Sequence, residues 1–455
     1  MAFKGTDIVK KLPDAGKKNC KECGFPTCFA FAMKLASGGV TLEKCTYLSI
    51  EVREELADGL APAIKLVTIG SGAKALQVGN EEVVYRHEKT FIHPTGIALL
   101  ISDKESEGKV EEKLQKIAKL QFDVVGRILR ADLVALQYES GSKAKFEALV
   151  KKVSQSTDAG IILVSEDTDV LFSARDICAD KKPLLYPITK NNIEKAIPLI
   201  KKHPTPVGVR AASVEELIPL TTRLKAEKLD DVVLDPGPQN LREGIRDQTF
   251  IRRAAIKQSF RPLGYPTIAF PCFTARDGMK EILTASAYLI KYASIVVLSD
   301  FDHYTLRPLL TQRLNIFTDP RMPLSVQERL YTVGEPGENS PVLITTNWAL
   351  TYFIVSAEIE SSKVASWLLV KDSEGLGVLT AWAAGKFNGD AIAPFVKRSG
   401  VEAKAKTRTL LIPGKVARIK GELEDALPGW QIVVGPREAS EIPNFLPGFA
   451  AKLRN

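Results

Sequence analysis

Eight short apolar runs, spaced along residues 96 to 300, limit this chain's fold more than any other feature. They are GIALLISD (96–103), ADLVALQYE (131–139), GIILVSED (160–167), KPLLYPIT (182–189), PVGVRA (206–211), DDVVLDPG (230–237), PTIAFPCF (266–273) and ASIVVLSD (293–300). Between them lie charged, amphipathic stretches such as KVEEKLQKIAKL, AKFEALVKKVSQS, NIEKAIPLIKK, SVEELIPLTTRLKAEK and REGIRDQTFIRRAAIKQ. A strand that is apolar throughout is buried on both faces, and alternation with helices makes the sheet parallel. Eight repeats favour closure into a (β/α)8, TIM-like barrel over the alternative, an open doubly wound sheet. Ahead of them, residues 63–92 alternate apolar and polar around a glycine break, which predicts strands or a hairpin.

After the eighth run, TDPRMPLSVQERLYTVGEPGENSP (318–341) is rich in Pro and Gly towards its end and reads as a linker. A second α/β pattern follows. Its expected strands are PVLITTN (341–347), ASWLLVKD, RTLLIPG and WQIVVGP, separated by the helical LTYFIVSAEIESS, VLTAWAAGKFNGDAIAPFVKRSG and VARIKGELEDAL, and a final segment REASEIPNFLPGFAAKL closes it. This suits a small Rossmann-like sheet, in which ligands bind outside the carboxyl ends of the strands. Those ends read TTN, KDSEGLG, IPG and VGPRE.

The first 58 residues are different. Helical spacing occurs in GTDIVKKL, PTCFAFAMKLASG and LEKCTYLSIEVREELADGL, the last ending near Gly59. So few apolar residues make a weak core, and a metal centre would be a natural staple. Four of the chain's six cysteines fall here, as Cys20-x2-Cys23-x4-Cys28-x16-Cys45. Four thiolates suit zinc or a cubane iron–sulfur cluster. Zinc ribbons prefer paired C-x2-C motifs or His partners, whereas a bunched triad with a distant fourth is a common ferredoxin-like arrangement, so the spacing favours the cluster and leaves zinc open. Cys178 and Cys272 are isolated and read as packing residues.

Composition excludes several classes. Over 455 residues, 45% hydrophobic and 25% charged content is ordinary for a soluble globular protein. The net charge of +8 is spread along the chain, without the basic stripe and aromatics that nucleic-acid binding would need. No apolar run is long enough for a membrane span, and the N-terminus lacks the apolar core of a signal peptide, so a cytoplasmic protein is expected. Clustered cysteines there point to metal rather than to disulfides. There is no P-loop, HExxH or nucleophile-elbow motif, and EGLGVLTAWAAGKF lacks the full dinucleotide fingerprint. Within the barrel, His303 with Asp300 and Asp302, and Asp235 in DPGPQN, stand at strand ends where catalytic groups gather. An interface cluster, and a helix cap on Asn240, are the plainer readings of the two.

Three stretches carry a family resemblance: LPDAGKKNCKECGFPTCFAFAMKLASG with Cys45 downstream, PVLITTNWALTYF, and EGLGVLTAWAAGKF. Across essentially its whole length the chain resembles the large (gamma) subunit of the corrinoid iron–sulfur protein of the acetyl-CoA decarbonylase/synthase system. The resemblance implies an iron–sulfur domain over 1–58, a TIM-barrel domain over 59–320, and a Rossmann-like corrinoid-binding domain over 321–455, with a linker at about 321–340. Cys20, Cys23, Cys28 and Cys45 would ligate a 4Fe–4S cluster. Cobamide contacts would come from Thr345, Thr346, Asn347, Gly375, Leu376, Gly377, Val378, Pro413, Gly414, Gly435, Pro436, Arg437 and Glu438. Many corrinoid carriers offer cobalt a lower His through Asp-x-His-x-x-Gly; that motif is missing, and no His follows His303. A base-off cobamide without a protein His ligand is therefore implied.

The function so implied is methyl carriage in the reductive acetyl-CoA pathway. Co(I) takes a methyl group from methyltetrahydrofolate through a separate methyltransferase, methyl-Co(III) gives it to acetyl-CoA synthase, and the cluster re-reduces Co(II). The implied partners are a small corrinoid protein subunit in a heterodimer, the methyltransferase, acetyl-CoA synthase/CO dehydrogenase and a low-potential electron donor. The rival readings are an iron–sulfur enzyme with its active site in the barrel, using His303, Asp302 and Asp235, and a scaffold with structural zinc.

Overall fold

The computed structural model describes residues 5–454 apart from 38, 125 and 276. The chain forms two compact units, Met1–Gln121 with Arg130–Phe317, and Phe122–Leu129 with Thr318–Asn455.

In the first unit all eight apolar runs are strands: Gly96–Ser102, Leu133–Gln137, Gly160–Val164, Leu184–Ile188, Val207–Arg210, Val232–Asp235, Ile268–Ala269 and Ile295–Leu298. Every neighbouring pair is parallel, and the strand Gly96–Ser102 sits beside Ile295–Leu298. Two-residue Ile268–Ala269 is the weak point, yet a parallel bridge from Leu234 to Thr267 closes the ring, with Leu234 N–H donating to Pro266 C=O at 2.8 Å. The interior is filled by alternate strand residues such as Ala98, Leu100, Ala135, Ile162, Val164, Leu184 and Val297. The expected hairpin pairs Val67–Ile69 with Leu76–Val78, and Val67, Ile69 and Val78 enter the same core. A Cβ on Gly160, which begins its strand, would lie 3.5 Å from the Ile69 carbonyl oxygen and 3.6 Å from its side chain, so the hairpin stoppers the amino end of the barrel.

The N-terminal helices are Gly5–Lys11, Cys28–Ala36 and Ile50–Leu60, around a core of Ile8, Leu12, Phe31, Ala32, Leu35, Leu42, Leu48 and Leu56. The third is shorter than its sequence pattern predicts. Leu42–Lys44 makes a single 3-10 turn, and the helix starts only after Ser49, whose hydroxyl accepts the Val52 N–H at 3.3 Å. Cys45 thus lies on extended chain rather than on a helix.

In the second unit five strands lie in the order Arg329–Val333, Ser366–Lys371, Val342–Thr346, Thr409–Ile412, Gln431–Val434. The first is antiparallel to its neighbour and the others are parallel. Arg329–Val333 falls inside the stretch expected as a linker: Tyr331 and Val333 are buried in alternation with exposed Arg329 and Thr332, and this short period is hard to read among prolines and glycines. The hairpin Phe122–Val124 with Arg127–Leu129 joins this unit, where a Cβ on Gly126 would meet the Tyr331 hydroxyl at 2.2 Å. Helices Ala349–Ser361 and Ile442–Arg454 cover one face through Ile359, Ile442, Leu446 and Phe449, and Gly389–Arg398 with Lys420–Ala426 covers the other through Phe395, Val396 and Leu423. The stretch expected as one helix after Gly377 is two, Val378–Ala383 and Gly389–Arg398. Gly385 at φ +70° ends the first, and Asn388 caps the second by accepting the Ala391 N–H at 3.0 Å. Among the described residues no helix is long and apolar enough to cross a membrane.

Candidate functional site

The chain runs from Val342–Thr346 outward to Ser366–Lys371 and then returns to Thr409–Ile412 on the opposite side. The strands Val342–Thr346 and Thr409–Ile412 therefore flank the topological switch point, where the crossover loops diverge and leave a crevice. A cleft of about 390 Å³ lies there. Leu343, Ile344, Leu411 and Ile412 belong to its strands; Trp348, Thr351, Ile354 and Val355 come from one flanking helix, Val378, Leu379 and Thr380 from another, and Lys415, Arg437 and Glu438 from the strand-end loops.

Two features mark it as built for a ligand. Thr345, in the cleft wall, is 1% exposed, and its hydroxyl has no hydrogen-bond partner. A buried hydroxyl left unpaired costs about 1–3 kcal/mol, so it normally has a partner. The second feature is glycine at close backbone approaches. A Cβ on Gly414 would stand 2.5 Å from the Gly435 carbonyl oxygen, and one on Gly377 would press on the Trp348 ring at 3.0 Å. The two strand-end loops are laced together by Gly414 N–H donating to Pro436 C=O at 2.9 Å and Gly435 N–H to Ile412 C=O at 2.9 Å.

Of the thirteen residues the resemblance placed here, Thr345, Gly377, Val378, Pro413, Gly435, Pro436, Arg437 and Glu438 line the cleft. Thr346, Asn347, Gly375, Leu376 and Gly414 do not. Asn347 instead shapes the loop beneath: its Oδ1 accepts from Ser373 N–H and Oγ, both at 2.9 Å, and from Gly375 N–H at 3.0 Å, while its Nδ2 donates to Asp372 at 2.8 Å. Gly375 holds the left-handed turn of that loop at φ +74°. Strand-end reading missed Trp348, Thr351, Ile354 and Leu379, because they sit on helical turns whose position follows from packing. The signal available was i, i+3 spacing from Trp348.

In the first unit all four N-terminal cysteines, with Phe25 and Phe31, line one small hollow. Cys20 and Cys23 lie on a tight loop with Lys21 at φ +64° and Gly24 at φ +82°. Cys28 opens the helix Cys28–Ala36, whose cap Thr27 accepts the Ala30 N–H at 3.1 Å, and Asn19 Oδ1 accepts the Cys28 N–H at 2.7 Å, pinning the loop onto the helix. Burial pushes the Cys45 thiol up, with the neighbouring thiols adding to it and the Tyr47 N–H opposing. Four thiols bordering one hollow beside apolar rings are the donor set a thiolate-held cluster needs, though among the described residues no three His, Cys, Asp or Glu side chains are drawn together closely enough to hold a metal ion.

The barrel mouth holds a different group. Tyr186 donates to buried Asp235 at 2.5 Å, Gly237 N–H donates to it at 2.8 Å, and Arg210 lies 3.8 Å away. Burial raises the Asp235 carboxyl against the pull of Tyr186, Gly237 and Arg210. Asp302 caps the helix His303–Ile316 in a capping box with Thr305, and Asp300 pairs with Lys116 at 2.7 Å. Asn240 likewise caps Leu241–Lys257 by accepting the Glu243 N–H. Those strand-end residues are engaged in holding helices.

Fold and sites together define a class: an α/β protein that joins a four-thiol unit to a parallel eight-stranded barrel, and carries further on an open, mostly parallel sheet with a switch-point cleft. Relatives make it particular. The family described as the CO dehydrogenase/acetyl-CoA synthase delta subunit matches residues 66–446, and an Fe-S cluster family matches 16–47. The corrinoid/iron-sulfur protein large subunit of Moorella thermoacetica is 44% identical over 98% of this chain and 98% of its own. The acetyl-CoA decarbonylase/synthase complex subunit gamma of Methanopyrus kandleri is 38% identical over 97% and 96%. Among solved structures, dihydropteroate synthase from Xanthomonas albilineans aligns at 13% identity and TM-score 0.36, covering 50% of this chain and 94% of that one. The chain belongs to the family of corrinoid/iron–sulfur protein large subunits and acetyl-CoA decarbonylase/synthase gamma subunits.

Proposed function

We propose that this chain is the methyl-carrying subunit of an acetyl-CoA-forming system, with a cobamide at the switch-point cleft and a 4Fe–4S cluster on Cys20, Cys23, Cys28 and Cys45. When bound, the cobamide supplies the metal that takes up and releases a methyl group, and the cluster supplies single electrons. The observation that carries the reading is the buried, unpartnered hydroxyl of Thr345 in the wall of the cleft. A cofactor bearing amide side chains can satisfy it. The close-packed glycines keep the loops low, so that a broad ring can approach the backbone. A corrinoid is larger than the cleft, so most of it would lie outside this chain. Leu350, Phe353, Ile354 and Leu379, each about half exposed, stand on the flanking helices and supply apolar surface for the small corrinoid protein subunit to close over it.

The second unit has no histidine in its sequence, so it can offer cobalt no imidazole, which supports a base-off cofactor. A methyltetrahydrofolate methyltransferase, acetyl-CoA synthase/CO dehydrogenase and a low-potential electron donor are the partners this role requires, and a cytoplasmic site agrees with free thiols. The test is metal and absorbance analysis of anaerobically purified protein. The reading expects corrinoid absorbance with about four irons per chain, less corrinoid in a Thr345→Val variant, and no nitrogen splitting from a protein His in the cobalt resonance. Iron without cobalt would overturn it in favour of a barrel enzyme, and zinc alone in favour of a scaffold.

A further inference from the structure

We infer that the mouth of the barrel binds a small zwitterion, an α-amino acid with an aliphatic side chain, at a site separate from the cleft and from the hollow of the thiols. A cavity of about 500 Å³ opens where four neighbouring strands end, Gly160–Val164, Leu184–Ile188, Val207–Arg210 and Val232–Asp235. That end of a parallel barrel is where ligands bind. Four charged side chains line it, Glu166, Glu216, Lys190 and Arg210. Arg210 is half-buried and the other three are exposed. Behind the Arg210 guanidinium, at 3.8 Å, lies the buried Asp235 carboxylate, itself fixed by the Tyr186 hydroxyl at 2.5 Å and the Gly237 N–H at 2.8 Å.

Two positive and two negative groups share this cavity, yet none of the four forms an ion pair with another. Among the described residues, the charged ends of Glu166 and Lys190 make no ion pair or hydrogen bond, Glu216 accepts only the Ala212 N–H at 3.4 Å, and Arg210 has only its long pair with Asp235. Just outside, opposite charges do meet: Lys195 pairs with Asp169 at 2.7 Å and Arg223 with Glu194 at 3.0 Å. Charges of both signs held apart around one cavity are complementary to a molecule that carries both. Its carboxylate can take two parallel hydrogen bonds from Arg210, and its ammonium can donate to the glutamates. No lining residue is aromatic, so the ring faces that attract a quaternary ammonium are lacking, and the ligand's nitrogen bears N–H groups. Ala211, Pro219 and Leu220 make an apolar part of the wall, which fits an aliphatic side chain.

The experiment titrates the full-length protein calorimetrically with L-valine and with L-leucine. At least one should bind, and the single-charge fragments isovalerate and isobutylamine should each bind about tenfold more weakly or worse. Glu166→Gln and Arg210→Gln should each weaken the amino acid about tenfold. No binding of either amino acid at about 10 mM, a fragment that binds as well as the whole, or full affinity in both variants overturns the site. Tighter binding of trimethylglycine overturns the assignment of a primary ammonium. If Arg210→Gln lowers the thermal midpoint of the barrel, Glu166→Gln and Lys190→Gln, at exposed positions, still decide. A chain that binds the amino acid but holds no corrinoid keeps this site and removes the methyl-carrier reading instead.

Discussion

The side-chain oxygen of Asn347 accepts the backbone N–H of Gly375 at 3.0 Å, tying the end of one strand to the loop after the next. The same atom takes both donors of Ser373, and all of these groups are buried. Asn347→Ala removes the acceptor and strands the donors, at a cost of about 2–4 kcal/mol. Urea unfolding of the variant should show that loss, and corrinoid content should fall with it. Unchanged stability would mean the loop holds itself.

Much of this architecture is legible in the sequence, and the exceptions have physical causes. Strands such as Gly160–Val164, buried on both faces, announce themselves as continuous apolar runs. Phe122–Val124 does not: it follows directly on an amphipathic helix, and its apolar residues pack on a unit whose main body begins nearly two hundred residues later. At the site, the strand-end rule finds Thr345, Pro413 and Gly435 because topology fixes where strands end. It does not find Trp348 or Leu379, whose aim depends on how a helix lies on the sheet.

Gly414 and Gly435 test the close approach of the two loops. A Cβ on Gly414 would meet backbone atoms of Gly435 and Pro436 at 2.5–2.8 Å, and neither neighbour can turn aside. Gly414→Ala should therefore cost about 1–3 kcal/mol and widen the cleft. Gly435→Ala, whose nearest contacts are at 3.1 and 3.2 Å, should cost less. Thermal unfolding of the two side by side checks the order, and a larger loss for Gly435→Ala would contradict it.

Glu328 gives a pH signature. It holds Lys371 Nζ at 2.7 Å, the Asp372 N–H at 2.8 Å and the Arg398 guanidinium, and so braces the loop that Asn347 shapes. Burial pushes its carboxyl up, but those hydrogen bonds and the Lys371 charge outweigh it and leave the group lower than usual. A carboxyl lowered on folding adds stability that is present above its unfolded value, near 4.5, and is lost as pH falls through the folded value. Glu328→Gln should thus cost about 1 kcal/mol at pH 7, with the gap from wild type closing as the pH is taken below that value. Denaturant midpoints across the range measure it; a gap that widens in acid would reverse the sign.

The cysteine unit should depend on its metal for its fold. Only a handful of large apolar side chains, led by Ile8, Leu12, Phe31, Leu35 and Leu56, are buried there, whereas the barrel has a continuous interior of its own. Where a core is that small, binding free energy at the metal becomes folding free energy. Cys23→Ala should therefore lose iron and expose the first sixty residues to proteolysis, while the barrel's thermal midpoint moves little. It should also lose reductive reactivation but keep methyl transfer when supplied already reduced. That split separates the two roles: an electron-delivering cluster is dispensable to a carrier that has not been oxidised, whereas loss of both activities would make the unit a structural part of the methyl site.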